Sequence, residues 1–231
     1  MLHFPLKSIY DRLWLDAADA LRRDDLRIDR YLRAPEQDQR LGLSLIIRPS
    51  ATVTRRIGCF IRQLQEIEPA QYYYQPGELH VTVLSLFTAT EDYARHLENI
   101  PVYADVLQSV LPGTRRFRLG FRGVTASSGA ILIQGFPEHD ALTRLRGRLR
   151  DALRSAGLGD CLDMRYPTLT AHATAVRFSE KLRNRGLLVR RLSRLRRYPF
   201  GSMTVNTVQW VKNDWYMSAD KVQVLGEFEL Q

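Results

Sequence analysis

The chain is poor in cysteine and histidine and has no long apolar run. Cys59 and Cys161 are the only two cysteines in 231 residues. They lie far apart and form neither a Cys-x-x-Cys pair nor a finger spacing. That argues against a disulfide framework or a structural zinc site and leaves them as reduced, structural thiols. No uninterrupted apolar stretch approaches the ~20 residues of a membrane-spanning helix. The opening Met-Leu-His-Phe-Pro-Leu has neither the charged start nor the apolar core of a secretion signal, so the expected location is the cytoplasm, with no membrane partner. Low-complexity tracts and Pro/Ser-rich linkers are missing too, and 45% hydrophobic with 26% charged residues is the balance of a folded rather than a disordered chain.

Several catalytic signatures are absent as well. There is no His-Glu-x-x-His and no carboxylate-rich cluster beside His80 or His172, so the chemistry is expected to need no metal. Neither Gly-x-Ser-x-Gly nor Gly-x-x-x-x-Gly-Lys-Ser/Thr occurs, and Gly120 to Gly123 is too short for a dinucleotide fingerprint. Serine hydrolase, nucleoside triphosphatase and Rossmann readings fall away, and no cofactor is expected.

What is present is a charge asymmetry and a repeated motif. Residues 1–114 carry 13 Lys and Arg against 15 Asp and Glu, whereas residues 115–231 carry 21 against 10. A basic second half favours a polyanionic ligand such as RNA or a nucleotide. The arginine runs 144–150 and 190–197 sit on helical patterns, where a solvated outer face is the alternative. Nothing in the sequence points to a protein partner.

Periodicity predicts helices over 6–32, 51–68, 90–111 (one helix or a pair, broken at Pro101), 138–155 and 179–196. Strands are expected over 42–47, 72–74, 78–87, 116–123, 130–136, 168–178, 203–212 and 221–230, with hairpin signals at Pro76-Gly77 and Ser127-Ser128-Gly129. The order strand, helix, motif strand occurs twice. The expected fold is therefore α+β and bilobal: two pseudo-symmetric lobes of antiparallel sheet with flanking helices around a central cleft. Residues 1–40 read as an N-terminal helical extension and 41–231 as a single bilobal domain.

The motifs are Leu79-His80-Val81-Thr82-Val83 and Ala171-His172-Ala173-Thr174-Ala175. A strand sends residues i and i+2 to one face, so each imidazole lies beside a hydroxyl while Val81, Val83, Ala173 and Ala175 face a core. Two imidazoles titrating near pH ~6.5 can divide the roles of base and acid at neutral pH. Phosphodiester cleavage needs that division, with in-line attack at phosphorus and protonation of the departing oxygen on the opposite side. The threonine hydroxyls can hold non-bridging oxygens as charge builds in the transition state.

With Glu78-Leu79-His80-Val81-Thr82-Val83 and Thr170-Ala171-His172-Ala173-Thr174-Ala175, the chain resembles the two-histidine phosphoesterase superfamily, which includes bacterial RNA 2′,5′ ligases and cyclic phosphodiesterases. The resemblance covers residues 41–230 and implies a bilobal α+β fold and metal-free action on 2′,3′-cyclic or 2′,5′ phosphodiesters of nucleotides or RNA. It implies catalysis by His80 and His172, with Thr82 and Thr174 holding phosphate. The tyrosine that ordinary cyclic phosphodiesterases carry on the last strand is not matched at Lys221-Val222-Gln223. An RNA 2′,5′ ligase using the same groups in reverse, or a non-catalytic RNA-binding module, are the alternatives.

For the rest of the ligand, Tyr74, Trp215 and Tyr216 are candidates to stack on a base, with cross-strand packing as the competing account. Arg165 and Arg177 flank the second motif strand and can add positive charge. Arg177 has the parity of Ala173 and Ala175, which predicts that it points away from the motif face and ranks Arg165 above it.

Overall fold

The computed structural model describes residues 6–162 and 168–231. Its core is one curled, wholly antiparallel sheet of nine strands, flanked by helices. In chain order the strands are β1 (Leu41–Ile47), β2 (Tyr72–Tyr73), β3 (Val81–Thr90), β4 (Phe117–Ser127), β5 (Ala130–Pro137), β6 (Ala173–Arg177), β7 (Pro199–Val205), β8 (Thr207–Asn213) and β9 (Gln223–Glu229). Their spatial order is β7-β4-β5-β6-β3-β1-β8-β9, with β2 paired to β6. Two halves of four strands thus meet at β6 and β3, the strands of the two motifs, as the bilobal reading requires. The halves touch there through a single rung, Val81 opposite Ala173.

The helices are α1 (Leu6–Arg23), α2 (Ala51–Gln65), α3 (Ala94–Leu97), α4 (Ile100–Val110), α5 (Ala141–Ser155) and α6 (Arg185–Arg194). In α2, Val53, Ile57, Phe60, Ile61 and Leu64 are buried at helical spacing, and this face packs against β7 and β6 of the other half. In α5, Leu142, Leu145, Arg146, Leu149 and Leu153 are buried, and that helix reaches β3. Each strand–helix–strand unit therefore lends its helix to the opposite lobe, and the two lobes share one continuous core.

Both motif strands carry a one-residue bulge directly after the threonine. Between β1 and β3 the pairing steps from Ile46–Thr82 to Leu45–Leu84, which leaves Val83 as the extra residue. Between β5 and β6 it steps from Leu132–Thr174 to Ile131–Val176, which leaves Ala175 extra. A bulge bends its strand and turns the following side chains to the other face. The local pseudo-symmetry is thus finer than the repeated sequence pattern.

Some boundaries differ from the sequence expectation for local reasons. The first helix ends at Arg23 rather than near residue 32, because Asp24 adopts a positive φ of 62° that an α-helix cannot continue. The expected strand 203–212 is two strands. The chain leaves the ladder at Asn206, with β7 on β4 at one end of the sheet and β8 on β1 near the other. The stretch 90–111 is two helices, and Pro101 sits in the first turn of α4 where its missing N–H costs nothing. Helix α5 stops as expected at Gly157, whose φ is +76°.

Two glycine substitutions test the packing in opposite directions. A Cβ at Gly135 would overlap the Ala171 carbonyl, so Gly135→Ala is expected to destabilise the fold by about 1–3 kcal/mol. A Cβ at Gly147, inside α5, meets nothing within 4 Å, so Gly147→Ala is expected to stabilise by up to ~1 kcal/mol. Urea unfolding of the two variants beside the parent chain measures both.

Candidate active site

The Val81–Ala173 rung fixes the site. Partners across an antiparallel rung share a face, and Val81 and Ala173 are fully buried in the core. Their neighbours along each strand, His80 and Thr82 on one, His172 and Thr174 on the other, therefore share the opposite face. The structure brings all four residues together, and the charge state of His172 is coupled to His80. Neither threonine hydroxyl has a hydrogen-bond partner among the described residues, although Thr174 is only 9% exposed.

Each imidazole is held through Nδ1. His80 Nδ1 lies 2.7 Å from the Glu78 carbonyl oxygen. A carbonyl only accepts, so Nδ1 carries the proton and Nε2 is the free position. The supporting turn is itself pinned. The Glu78 carboxylate accepts from the Tyr72 hydroxyl (3.0 Å) and from the Gln75 amide (2.8 Å), and Arg48 donates to the Gly77 carbonyl (2.7 Å). His172 Nδ1 lies 2.7 Å from the Thr170 hydroxyl, which can donate or accept, and again leaves Nε2 free. Thr170 stands two residues before His172 in the second motif segment, where the His-x-Thr pattern gives it no role.

Beyond the rung the strands part, and a guanidinium fills the gap. Arg146 of α5 is 3% exposed. Its Nε donates to the Val83 carbonyl (2.7 Å) and its Nη2 to those of Thr82 and Thr170 (2.8 Å each), while Nη1 donates to Leu169 (3.1 Å). The bulge at Val83 lets two successive carbonyls face the same donor group. One side chain thus ties both motif strands together from below. The sequence placed Arg146 in a run that could be a solvated face. The overlooked signal is its spacing, four residues after Leu142 and three before Leu149, which puts it inside the apolar stripe.

On the other side of the rung, β2 takes over the edge of β6, with Tyr72 opposite Arg177 and Tyr73 opposite Val176. Arg177 corrects the sequence expectation. The bulge at Ala175 reverses its parity and turns it toward the motif face. There its Nε donates to the Tyr74 hydroxyl (2.9 Å), and its guanidinium stacks 5.2 Å from the Trp215 ring centre and 5.9 Å from that of Tyr216. Its charge acts on both histidines. Tyr74 and Tyr216 are themselves buried, 2% and 5% exposed, and so support Arg177 rather than offering open stacking faces. Trp215 is half-buried between these groups and Arg40 (4.8 Å). Arg165 lies outside the described residues.

The surroundings are cationic. Burial is the main reason that both imidazoles are pushed down to about 4. Arg48 and Arg177 add to the effect on His80, and His80, Arg146 and Arg177 to that on His172. Burial and these cations therefore favour the neutral form of both rings and work against one proton shared between them at neutral pH. Among the described residues no three His, Cys, Asp or Glu side chains gather as metal ligands would. No described helix is long and apolar enough to cross a membrane. Elsewhere, Arg22, Arg190 and Arg194 line a groove of about 490 Å³ between α1 and α6.

Two measurements test this account. Arg146→Met leaves four buried carbonyls without their donor, and a loss of about 3–5 kcal/mol in urea unfolding is expected, as for other broken buried charge networks. Because both histidine pKa values are depressed from ~6.5 in the unfolded chain, their contribution to stability is intact above that pH. It is lost as pH falls toward about 4, since the unfolded chain binds protons that the fold refuses. Melting temperatures recorded across this window should fall more steeply for the parent than for a His80→Gln/His172→Gln double variant.

No protein-family model matches the sequence, and no curated protein does. Solved structures do match. The chain is similar to TT0787 of Thermus thermophilus, at 16% identity and a TM-score of 0.63, over 82% of this chain and 97% of that one. It is similar to E. coli LigT, solved with 3′-AMP, at 14% identity and a TM-score of 0.53, over 84% and 99%. A third likeness, to a structure described as a phosphoesterase, has 14% identity and a TM-score of 0.51, over 84% and 99%. At these identities the likeness speaks to architecture, and the chain has the fold shared by these three structures.

Proposed function

We propose that the chain is a two-histidine phosphoesterase that acts without a metal on 2′,3′-cyclic or 2′,5′ phosphodiester bonds of nucleotides or RNA. The observation that carries the proposal is the Val81–Ala173 register, which sets His80, Thr82, His172 and Thr174 on one face of two adjacent strands. The fold likeness supports it, as does the capture of 3′-AMP, ATP and NADP+ by E. coli LigT.

In this reading a phosphodiester lies between the two Nε2 atoms. One neutral imidazole takes the proton from water as its oxygen attacks phosphorus, and the other, protonated, gives its proton to the departing ribose oxygen. The product is a phosphomonoester with a free hydroxyl, and the rings exchange protonation states. The Thr82 and Thr174 hydroxyls, which lack partners among the described residues, donate to non-bridging oxygens and strengthen as negative charge accumulates. Arg177 offsets the charge of the bound anion. A phosphate between the rings is also what raises their pKa values, because a nearby negative charge favours imidazolium. Binding of the anion thus favours the protonated ring that serves as the acid. Trp215, half-buried and backed by Tyr216 and Tyr74, stands on the Arg177 side, where a nucleoside would extend. With an RNA 5′-hydroxyl in place of water as the group that attacks a 2′,3′-cyclic phosphate, the same groups give a 2′,5′ ligase: the new P–O bond forms as the 3′-oxygen departs and takes the proton.

Incubation with 2′,3′-cyclic nucleotides and 2′,5′-linked oligonucleotides, with a chelator present, tests the proposal. Turnover in the parent chain and a loss of about 10²–10⁴-fold in His80→Ala and in His172→Ala are expected. The acid limb of kcat/KM should follow the free-enzyme value near 4, and that of kcat should lie higher, toward ~6.5. Salt-sensitive RNA binding without turnover, unchanged in both variants, would instead identify a binding module.

A further inference from the structure

We propose that Tyr10 of α1 is a positioning residue for His172, so that the N-terminal helix belongs to the catalytic machinery. The inference rests on the reading of His172 as catalytic, but its geometry is independent of the motifs. In the β5–β6 ladder Leu132 faces Thr174 and Ile133 faces Ala173. Continued by two residues, that register sets Gly135 opposite Ala171, the residue before His172. The backbones do not pair there. The Tyr10 hydroxyl stands between them instead, accepting from the Ala171 amide (3.1 Å) and the Gly135 amide (3.3 Å) and donating to the Gly135 carbonyl (3.1 Å).

The close approach depends on Gly135, since any Cβ would strike the Ala171 carbonyl. Tyr10 is fully buried and packs edge-on against Phe136 at 5.4 Å. Burial raises its pKa, so the phenol keeps the proton it donates.

The register also says on which face α1 lies. Thr125 is opposite Leu132 and Leu132 is opposite Thr174, so all three share the motif face. The Thr125 hydroxyl donates to the Tyr10 carbonyl (3.0 Å), which places α1 on that face. The Arg196 guanidinium fastens the helix further, pairing with Asp11 (2.7 Å) and lying 5.0 Å from the Trp14 ring centre. The segment entering His172 thus hangs on Arg146 at Leu169 and Thr170 and on Tyr10 at Ala171, where a continuous strand would have used ladder bonds.

Two variants separate positioning from support. Tyr10→Phe removes the hydroxyl and keeps the ring, whereas Thr125→Val unties α1 but leaves the phenol in place. With whichever cyclic or 2′,5′-linked substrate turns over, Tyr10→Phe is expected to lower kcat about tenfold with KM within about twofold, as for a small displacement of a catalytic group. Thr125→Val should keep both parameters. In NMR titrations the depressed His172 midpoint should rise in Tyr10→Phe only. Parental kcat in Tyr10→Phe, or equal losses in the two variants, would overturn the proposal. If Tyr10→Phe does not fold, amide exchange of the parent decides. Ala171 and Gly135 should be protected, and exchange at open-chain rates sinks the idea. Retained activity in His172→Ala would sink the proposed function instead, a separate result.

Discussion

The site depends on two strands that touch once and then part. Backbone groups released from a ladder must find other partners when buried, and every feature around the cleft answers that need. Past the Val81–Ala173 rung, Arg146 receives four carbonyls, two from each side. Before the rung, the Tyr74 amide bonds the Ala175 carbonyl and β2 continues the edge. A neutral side chain could not span the gap, because a planar guanidinium alone presents five donors in one rigid fork. Four carbonyl dipoles help to offset the cost of burying that charge, and its positive field acts on His172.

The field explains why the scaffold is symmetric and the chemistry is not. Each motif strand has His, a core residue, Thr and then a bulge. Three residues beyond the threonine, however, β6 has Arg177 and β3 has Ser85. The Arg177 guanidinium therefore has no counterpart on β3, and under the proposed function a ligand would have a direction, its phosphate toward the rung and its remainder toward Trp215. With Arg48, Arg146 and Arg177 all acting on the rings, a cationic ligand is disfavoured and an anion is drawn in. Protonation of an imidazole and binding of phosphate then promote one another.

The motifs were legible because a period of two needs no tertiary information. His80, Thr82, His172 and Thr174 follow from alternation, and so do the buried Val81, Val83, Ala173 and Ala175. The same rule assigns Arg177 to the wrong face. Alternation assumes an unbroken strand, and a bulge at Ala175 is fixed by pairing with β5, which is invisible in the segment itself. Arg146 was hidden differently, since a charged residue inside an apolar stripe looks like part of the basic run around it until the unpaired carbonyls opposite it are known. The single run 203–212 read as one strand because its composition does not change at Asn206, where the chain passes from one lobe to the other.

The N-terminal helix carries the same lesson to the level of domains. A boundary near residue 40 follows from composition and from where the repeated strand–helix order begins, yet α1 buries Tyr10, Ala17, Ala18 and Leu21 and lies on the face that bears His172. Whether a segment is an appendage is decided by the hydrogen bonds and apolar area that it shares with the rest of the fold. Ala171 finds its amide partner in residue 10, a separation of 161 positions. The amide directly before His172 is thus bonded to a residue near the start of the chain. The geometry of the second motif is therefore a property of the whole sequence from α1 onward, although its chemistry can be read from five residues.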